Sequence, residues 1–360
     1  MDVSLTADQR MIQDSARAFL GDAAGLEQLR AALDSETGWA PQLWASLAGE
    51  MGFAGLMIPD AYGGAGLGAV EMALVLEETG RTLATVPFFE TAVLAAQAIL
   101  TAGSETQRAQ WLPGLAKGEV KATFAGIAGR PRFAQGRITG EAEYVTFGQM
   151  ADLLIVATSD QSLFALPAST PGIEIEPVAS LDRTRPFARV RFDLQPPCDS
   201  ALGAPEQAGP AIRRVLTIAA GLLATEQTGG AQFCLDSTVE YAKQRVQFGR
   251  LIGSFQAVKH ELADMMVMIE ASRSAALYAA AAIDEDGEEL AEACHAAASW
   301  ASDAFRHCSG EAIQLHGGIG FTWEHHAHLY FKRARSSSTW LGTPEAHREA
   351  LAKILLKEPA

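Results

Sequence analysis

The chain has 360 residues, of which 48% are hydrophobic and 20% are charged, a balance typical of a folded globular protein with two or three domains. Acidic side chains outnumber basic ones by 43 to 28, and the resulting net charge of −15 argues against sequence-independent binding to nucleic acid. Four widely spaced cysteines form no Cys-x-x-Cys pair, so the sequence predicts neither a zinc knot nor a disulfide framework. We expect reduced, buried thiols.

The beginning of the chain shows no targeting signal. It lacks a basic segment followed by a long apolar stretch, and no window in the sequence reaches about 18 uncharged apolar residues. We therefore expect a cytoplasmic protein without a membrane segment.

Residues 1–120 predict a helical domain. Thr6 and Gln9 have the spacing of a capping box at the start of a first helix. The glycine-rich run from Pro59 to Gly68 predicts a tight turn. Further helical patterns in this part cover 40–51, 70–83, 90–101 and 105–115.

Residues 121–205 show the pattern of short strands. The run 187–193 alternates apolar and basic side chains, as a half-buried strand should, and the continuous apolar run 153–157 predicts a buried strand. Turn-forming residues separate the strands, and 196–210 has the composition of a linker. This segment therefore predicts a small β-barrel or β-sandwich domain.

Residues 206–360 predict a four-helix bundle. Long, alanine-rich helical patterns cover 211–245, 254–284, 287–317 and 343–356. The predicted fold class is therefore α+β and multi-domain, with an N-terminal helical domain (1–120), a middle β domain (121–205) and a C-terminal helical bundle (206–360).

Three segments carry a resemblance to a known family. They are Pro59-Asp-Ala-Tyr-Gly-Gly, Arg245-Val-Gln-Phe-Gly followed by Gln256, and the run from Gln314 to Glu324. In this order, and with helical, β and helical parts in succession, the whole chain resembles the FAD-dependent acyl-CoA dehydrogenases. The segments suit a dinucleotide, since arginine offers a fixed fork of donors, and Gly317, Gly318 and Gly320 remove the side chains that would obstruct close approach of the backbone to a pyrophosphate.

The resemblance implies that residues of two subunits hold one FAD: Arg245, Phe248 and Gln256 of one, and Gln314, Gly317 and Gly318 of its neighbour. An oligomer would thus complete each site. The alternative for the last segment is a helix turn whose glycines, Gly320 included, allow close packing. In the β domain, Tyr144 and Thr146 match a segment that lies against the flavin ring in relatives, and strand alternation would put both on one face. A plain strand pair is the alternative.

The chain departs from the family pattern at three places. Leu341, in Trp-Leu-Gly-Thr, stands where many members carry the catalytic glutamate, and leucine cannot take a proton. Ala219 stands at the other base position that relatives use. A Thr-Glu-Pro and Gly-Ser-Asp loop of relatives is replaced by the shorter run 122–130.

Glu226 is the carboxylate that we predict as a displaced catalytic base. It follows Ala219 by seven residues on a predicted helix, which places it about 20° from the same stripe and roughly 10 Å further along. A lone glutamate in an apolar helix is costly if it is buried and unused. The alternative is that Glu226 points to solvent or pairs with a basic side chain of another helix. A displaced base could suit a bulky or α-branched acyl group, such as a steroid side chain.

The reaction implied by the resemblance is the α,β-dehydrogenation of an acyl-CoA thioester. A carboxylate removes the α-proton, the β-hydride passes to flavin N5, and an electron-transfer flavoprotein takes the electrons. One alternative is a half-catalytic or non-catalytic FAD-binding subunit, to which a related chain supplies the missing loop and base. Another is a flavin enzyme of the same fold with different chemistry, such as nitroalkane oxidation. The histidines of the run 316–328 lack the spacing of a zinc helix, so we expect no metal site.

Overall fold

The structure, a computed structural model, describes residues 5–357. The prediction of no targeting signal falls partly on residues 1–4, which lie outside the described residues. By packing, the chain divides into two compact units. One unit comprises the residues up to Arg30, Ala69–Ala84 and the residues from Ala220 onward, and the other comprises Ala31–Gly68 and Thr85–Ala219. The predicted segments 1–120, 121–205 and 206–360 instead follow the order of secondary structure along the chain.

Helices occupy both ends of the chain. The capping box at Thr6 and Gln9 is confirmed, since the Thr6 hydroxyl accepts from the Gln9 N–H and the Gln9 side chain accepts from the Thr6 N–H. The helices before the strands are α1 (Ala7–Ala23), α2 (Leu26–Asp34), α3 (Pro41–Trp44), α4 (Ala69–Thr82), α5 (Ala96–Ala102) and α6 (Glu105–Ala116). Those after the strands are α7 (Gly209–Gln244), α8 (Gln256–Glu285), α9 (Leu290–His316), α10 (Ala327–Trp340) and α11 (Pro344–Leu356).

The middle of the chain forms two sheets. The strands are β1 (Ala122–Ala125), β2 (Arg132–Ala134), β3 (Arg137–Thr146), β4 (Leu153–Ala157), β5 (Leu163–Pro167), β6 (Ile173–Val178) and β7 (Phe187–Leu194). One sheet has the order β1-β4-β5, in which β1 and β4 are parallel, and the other has the antiparallel order β2-β3-β7-β6. Apolar side chains of both sheets, among them Ile138, Leu154 and Val190, share one core. β4 is buried throughout, and β7 alternates as predicted.

The predicted fold class, helical parts on both sides of a β domain, is confirmed. Two details differ. The helix α10 was not predicted, because Ser336, Ser337 and Ser338 interrupt its apolar pattern. Three of the four cysteines are buried, but Cys198 is exposed, so the expectation of buried thiols is wrong for that residue.

Two glycines bring helices α4 and α7 into backbone contact. A Cβ at Gly80 of α4 would overlap the Glu226 carbonyl, and a Cβ at Gly229 of α7 would overlap the Glu77 carbonyl. The two helices therefore cross closely, and a side chain at either glycine would hold them apart. Among the described residues, α8 is the helix long and apolar enough to cross a membrane, with a mean hydropathy of 1.2 over its most apolar window, but it packs along α9.

Candidate cofactor site and its carboxylate

Arg245, Phe248 and Gln256 surround a two-stranded hairpin at the end of α7. Strands β8 (Val246–Gln247) and β9 (Arg250–Leu251) pair through the turn Phe248-Gly249, whose two residues both have positive φ. This turn matches the right-handed twist of the strands and holds the Phe248 ring outward, where it is 91% exposed. Arg245 and Gln256 are exposed as well. All three predicted side chains are thus exposed on the surface of the chain.

Gln314, Gly317 and Gly318 lie at the end of α9. Gly317 has φ 66° and ψ −145°, a conformation open essentially to glycine alone. Nothing lies within 4 Å of a Cβ added at Gly317 or Gly318. These two glycines therefore leave open space beside an exposed backbone, which fits the close approach of a cofactor.

Gly320 has a different role from its two neighbours. A Cβ there would lie 2.9 Å from the Ile313 carbonyl oxygen and 3.1 Å from the His316 Cβ. The expectation that Gly320 clears the way for the cofactor is wrong, because this glycine permits the chain to pack back onto α9.

The ends of α7 and α9 meet in one compact unit. The Tyr241 hydroxyl donates to the His316 carbonyl at 3.3 Å, and the two rings stack with centroids 4.4 Å apart. Arg245 follows Tyr241 by one helical turn, and Gln314 precedes His316 by two residues. The hairpin segment and the glycine segment therefore belong to the same end of the helical bundle in each chain.

Tyr144 and Thr146 lie at a β-bulge in β3, in the other compact unit. The register of β3 with β7 shifts between Ala142 and Val145, and Tyr144 has φ 52°. Tyr144 is exposed and packs edge to face with Phe187, whereas Thr146 is buried. The prediction that strand alternation places Tyr144 and Thr146 on one face is therefore wrong, because the bulge interrupts the alternation between them.

The shortened run 122–130 folds back on itself. The Arg130 guanidinium donates to the Gly126 carbonyl at 2.8 Å, and Ala128 bridges to Glu143. A Cβ at Gly126 would clash with the Ala157 carbonyl of the neighbouring strand. This loop is consequently compact.

Glu226 is buried in an ion pair. Its Oε1 accepts a hydrogen bond of 2.9 Å from Nη1 of Arg333 on α10, and the two residues are 5% and 2% exposed. The adjacent Gln227 donates to the Ser337 hydroxyl at 3.3 Å, which adds a second polar link between the two helices. Pairing with a basic side chain of another helix, one of the expectations for Glu226, is what the structure shows.

The two family base positions offer no carboxylate. Leu341 ends α10 and is half-buried, while Ala219 is fully buried. Sequence reasoning missed Arg333, which pairs with Glu226. The available signal was the two arginines, Arg333 and Arg335, beside the serines of the run 333–338, but without a predicted helix there the partner of Arg333 could not be assigned.

Imidazoles crowd the glycine segment. The His316 Nδ1–H donates to the Ala312 carbonyl at 2.6 Å, and its ring packs on His325 with centroids 4.3 Å apart. Burial, together with nearby cations and imidazoles, lowers the pKa of His325, His326 and His328 to about 4. These rings are therefore neutral at pH 7.

Comparison with known proteins finds relatives along nearly the whole chain. The family described as acyl-CoA dehydrogenase, C-terminal domain, matches residues 209–356, and the corresponding N-terminal domain family matches residues 6–119. The acyl-CoA dehydrogenase IpdE2 of Mycobacterium tuberculosis is 37% identical over 355 residues and covers 96% of each chain.

Solved structures show the same likeness. A variant of the steroid ACAD Tcur3481-Tcur3483 is 33% identical, with a TM-score of 0.87 over 97% of this chain and 98% of its own. The ChsE4-ChsE5 complex from Mycobacterium tuberculosis contains a chain that is 25% identical, with a TM-score of 0.90 over 100% of both chains.

Proposed function

This chain belongs to the acyl-CoA dehydrogenase family of flavoprotein oxidoreductases, and on that premise we propose that it takes part in the FAD-dependent α,β-dehydrogenation of an acyl-CoA thioester. The observation that carries this proposal is the open turn at Gly317 and Gly318, beside the exposed Gln314. A helix end that leaves such space free beside its backbone suits a dinucleotide better than internal packing.

The residues that would hold FAD are those that the structure leaves exposed. The guanidinium of Arg245 would bind a phosphate oxygen, the backbone at Gly317 and Gly318 would approach the pyrophosphate, and Phe248 would reach a neighbouring subunit. FAD, when bound, would supply the acceptor for the β-hydride. We therefore propose an oligomer in which each cofactor touches two chains.

Glu226 is the proposed base for the α-proton. In that role its carboxylate would receive the proton, and the hydrogen bond from Arg333 would hold the side chain in position. A Glu226→Gln protein should bind acyl-CoA yet reduce its flavin at least about a hundredfold more slowly, since general bases contribute about 10²–10⁴ in rate. Wild-type reduction rates in Glu226→Gln would exclude the assignment.

A second candidate is a subunit that shares its active site with a related chain. Its support is that the Glu226 carboxylate is engaged at 2.9 Å by the buried Arg333 guanidinium, and that Leu341 and Ala219 offer no other carboxylate at the family positions. Solved relatives include complexes named with two chains, such as ChsE4-ChsE5. In this case the chain purified alone would bind little flavin, and co-expression with the related chain would restore a yellow complex.

The substrate that we propose is a bulky or branched acyl-CoA. The support is the absence of a carboxylate at the usual position, Leu341, and a 33% identical relative described as a steroid ACAD. Anaerobic titration across straight-chain, branched and steroid acyl-CoA thioesters, followed by bleaching of the flavin spectrum, tests this directly. Faster bleaching by butyryl-CoA than by every bulky thioester would refute it. We further propose an electron-transfer flavoprotein as the electron acceptor.

A further inference from the structure

Five basic side chains gather where α2 meets the start of α10, within one compact unit. We call Arg30, His325, His326, His328 and Lys332 the basic cluster. Nε of Arg30 donates to Nδ1 of His326 at 3.3 Å, and its Nη2 donates to the His325 carbonyl at 3.4 Å. Trp323 connects the rest, since its ring lies edge to face on His328 at 4.7 Å and carries the Lys332 ammonium at 4.4 Å.

The basic cluster has more hydrogen-bond donors than acceptors. Nδ1 of His325 accepts from the Ala327 N–H, and Nδ1 of His326 accepts from Arg30, so each neutral ring carries its proton on Nε2. These two N–H groups and the remaining guanidinium N–H groups are donors. The matching ligand is therefore rich in acceptor atoms.

His328 is the buried member of the cluster and has no hydrogen-bond partner. It is only 5% exposed, and neither ring nitrogen finds a partner among the described residues. A buried imidazole whose polar atoms are both unpaired is costly, because it has lost its water without gaining a replacement. His328 thus has hydrogen-bonding capacity that no described residue satisfies.

The charged groups that act on the imidazoles of the cluster are basic. The groups that act on the pKa of its three imidazoles are Arg30, Lys332 and other histidines. The carboxylates near the cluster in sequence, Glu324 beside His325 and Glu27 and Asp34 one turn either side of Arg30, are exposed and do not belong to this set. In a protein with a net charge of −15, this is a local region of positive potential.

From the donors, the unpaired His328 and the local charge, we propose that the basic cluster binds a phosphate group. Phosphate offers several acceptor oxygens, and the fork of Arg30 suits it. The cluster adjoins the glycine segment through the stacked rings of His316 and His325. FAD, the phosphates of CoA and free phosphate share this chemistry; for the first two the inference rests on the proposed function.

Calorimetric titration of the purified protein with inorganic pyrophosphate tests the site without flavin or acyl-CoA. We expect saturable binding with Kd below about 1 mM. Arg30→Gln and Lys332→Gln should each weaken it about tenfold or more. The matched control is Arg335→Gln, which removes the same charge from an exposed position on the same helix and should change Kd less than about threefold. Absence of saturable binding, or equal losses in Arg30→Gln and Arg335→Gln, would overturn the inference.

A spectroscopic readout keeps the test independent of folding defects in the variants. In ¹⁵N-histidine spectra of the wild-type protein, pyrophosphate should shift the His328 ring nitrogens, assigned with His328→Asn, while the rings of His295 and His347 stay unchanged. Uniform shifts of all histidines would speak against a defined site.

The source of the phosphate follows from paired ligands. If wild type binds FAD more tightly than riboflavin and Arg30→Gln does not, the site holds the phosphates of the cofactor. If wild type binds CoA more tightly than dephospho-CoA and Arg30→Gln does not, the site holds a phosphate of the substrate. Dependence on neither, with pyrophosphate still bound, assigns it to free phosphate. If the protein binds pyrophosphate but no acyl-CoA reduces its flavin, the phosphate site stands and the proposed function fails. If an acyl-CoA reduces the flavin but pyrophosphate does not bind, the proposed function stands and the phosphate site fails.

Discussion

Replacing Glu226 by glutamine tests how strongly the buried ion pair holds the helical bundle. The substitution keeps the shape of the side chain but leaves the Arg333 guanidinium, 2% exposed, without its anionic partner at 2.9 Å. Removing one partner of a buried pair lowers the free energy of unfolding by about 3–5 kcal/mol. For a unit of this size, each kcal/mol corresponds to about 2–4 °C, so Glu226→Gln should lower the melting temperature by roughly 6–20 °C.

Thermal unfolding followed by circular dichroism, with matched variants, measures this effect. Arg333→Met should lower the free energy of unfolding by a comparable amount. The double variant Glu226→Gln/Arg333→Met should lose less than the sum of the two single decreases, because no unpaired charge remains. The control is Glu240→Gln on the same helix, whose partner Lys243 is 63% exposed, and which should change stability by less than about 1 kcal/mol. If Glu226→Gln were no more destabilising than Glu240→Gln, the buried ion pair would not stabilise the helical bundle as we infer.

Three further predictions concern a buried imidazole and three glycines. The pKa of His347 is lowered to about 4 by burial and by His295, so this ring binds a proton more readily in the unfolded chain; its contribution to stability is present above about pH 6.5 and is lost as the pH falls towards 4. Urea unfolding at pH 7 and pH 5 should show a smaller decrease in His347→Gln than in wild type. Gly318→Ala should keep the melting temperature but reduce flavin absorbance per chain, whereas Gly320→Ala should lower the melting temperature by a few degrees, and equal stability of the two would contradict the packing described. Gly229→Ala should destabilise by at least about 2 kcal/mol in urea, because its methyl group would force α7 away from α4.

Elements with a strong local signal could be predicted from the sequence. The capping box at Thr6, the buried strand 153–157 and the alternating strand 187–193 each depend on neighbours a few residues away, so their patterns specify them. The family segments predict that Phe248 and Gly318 contact FAD; the structure shows both exposed at the end of the bundle, and the contact itself stays a prediction.

Features that depend on distant partners could not be predicted. Arg333 follows Glu226 by 107 residues, and nothing local to either residue specifies the pair. The bulge at Tyr144 arises from the pairing of β3 with β7, which single-strand alternation does not contain. Arg30 and His328 come together through packing of segments almost 300 residues apart, so a sequence pattern alone gives only the histidine run.

The close crossing of α4 and α7 also bears on how the chain folds during synthesis. Helix α4 is made within the first quarter of the chain, but the helix against which Gly80 packs is completed much later, with α8 to α11 still to follow. During translation, the face of α4 that packs on α7 therefore stays uncovered by α7 while the ribosome makes about 150 further residues, which takes roughly ten to thirty seconds. Ribosome-bound chains that end before α7 should expose this face and bind chaperones, and release of the full chain should end that binding.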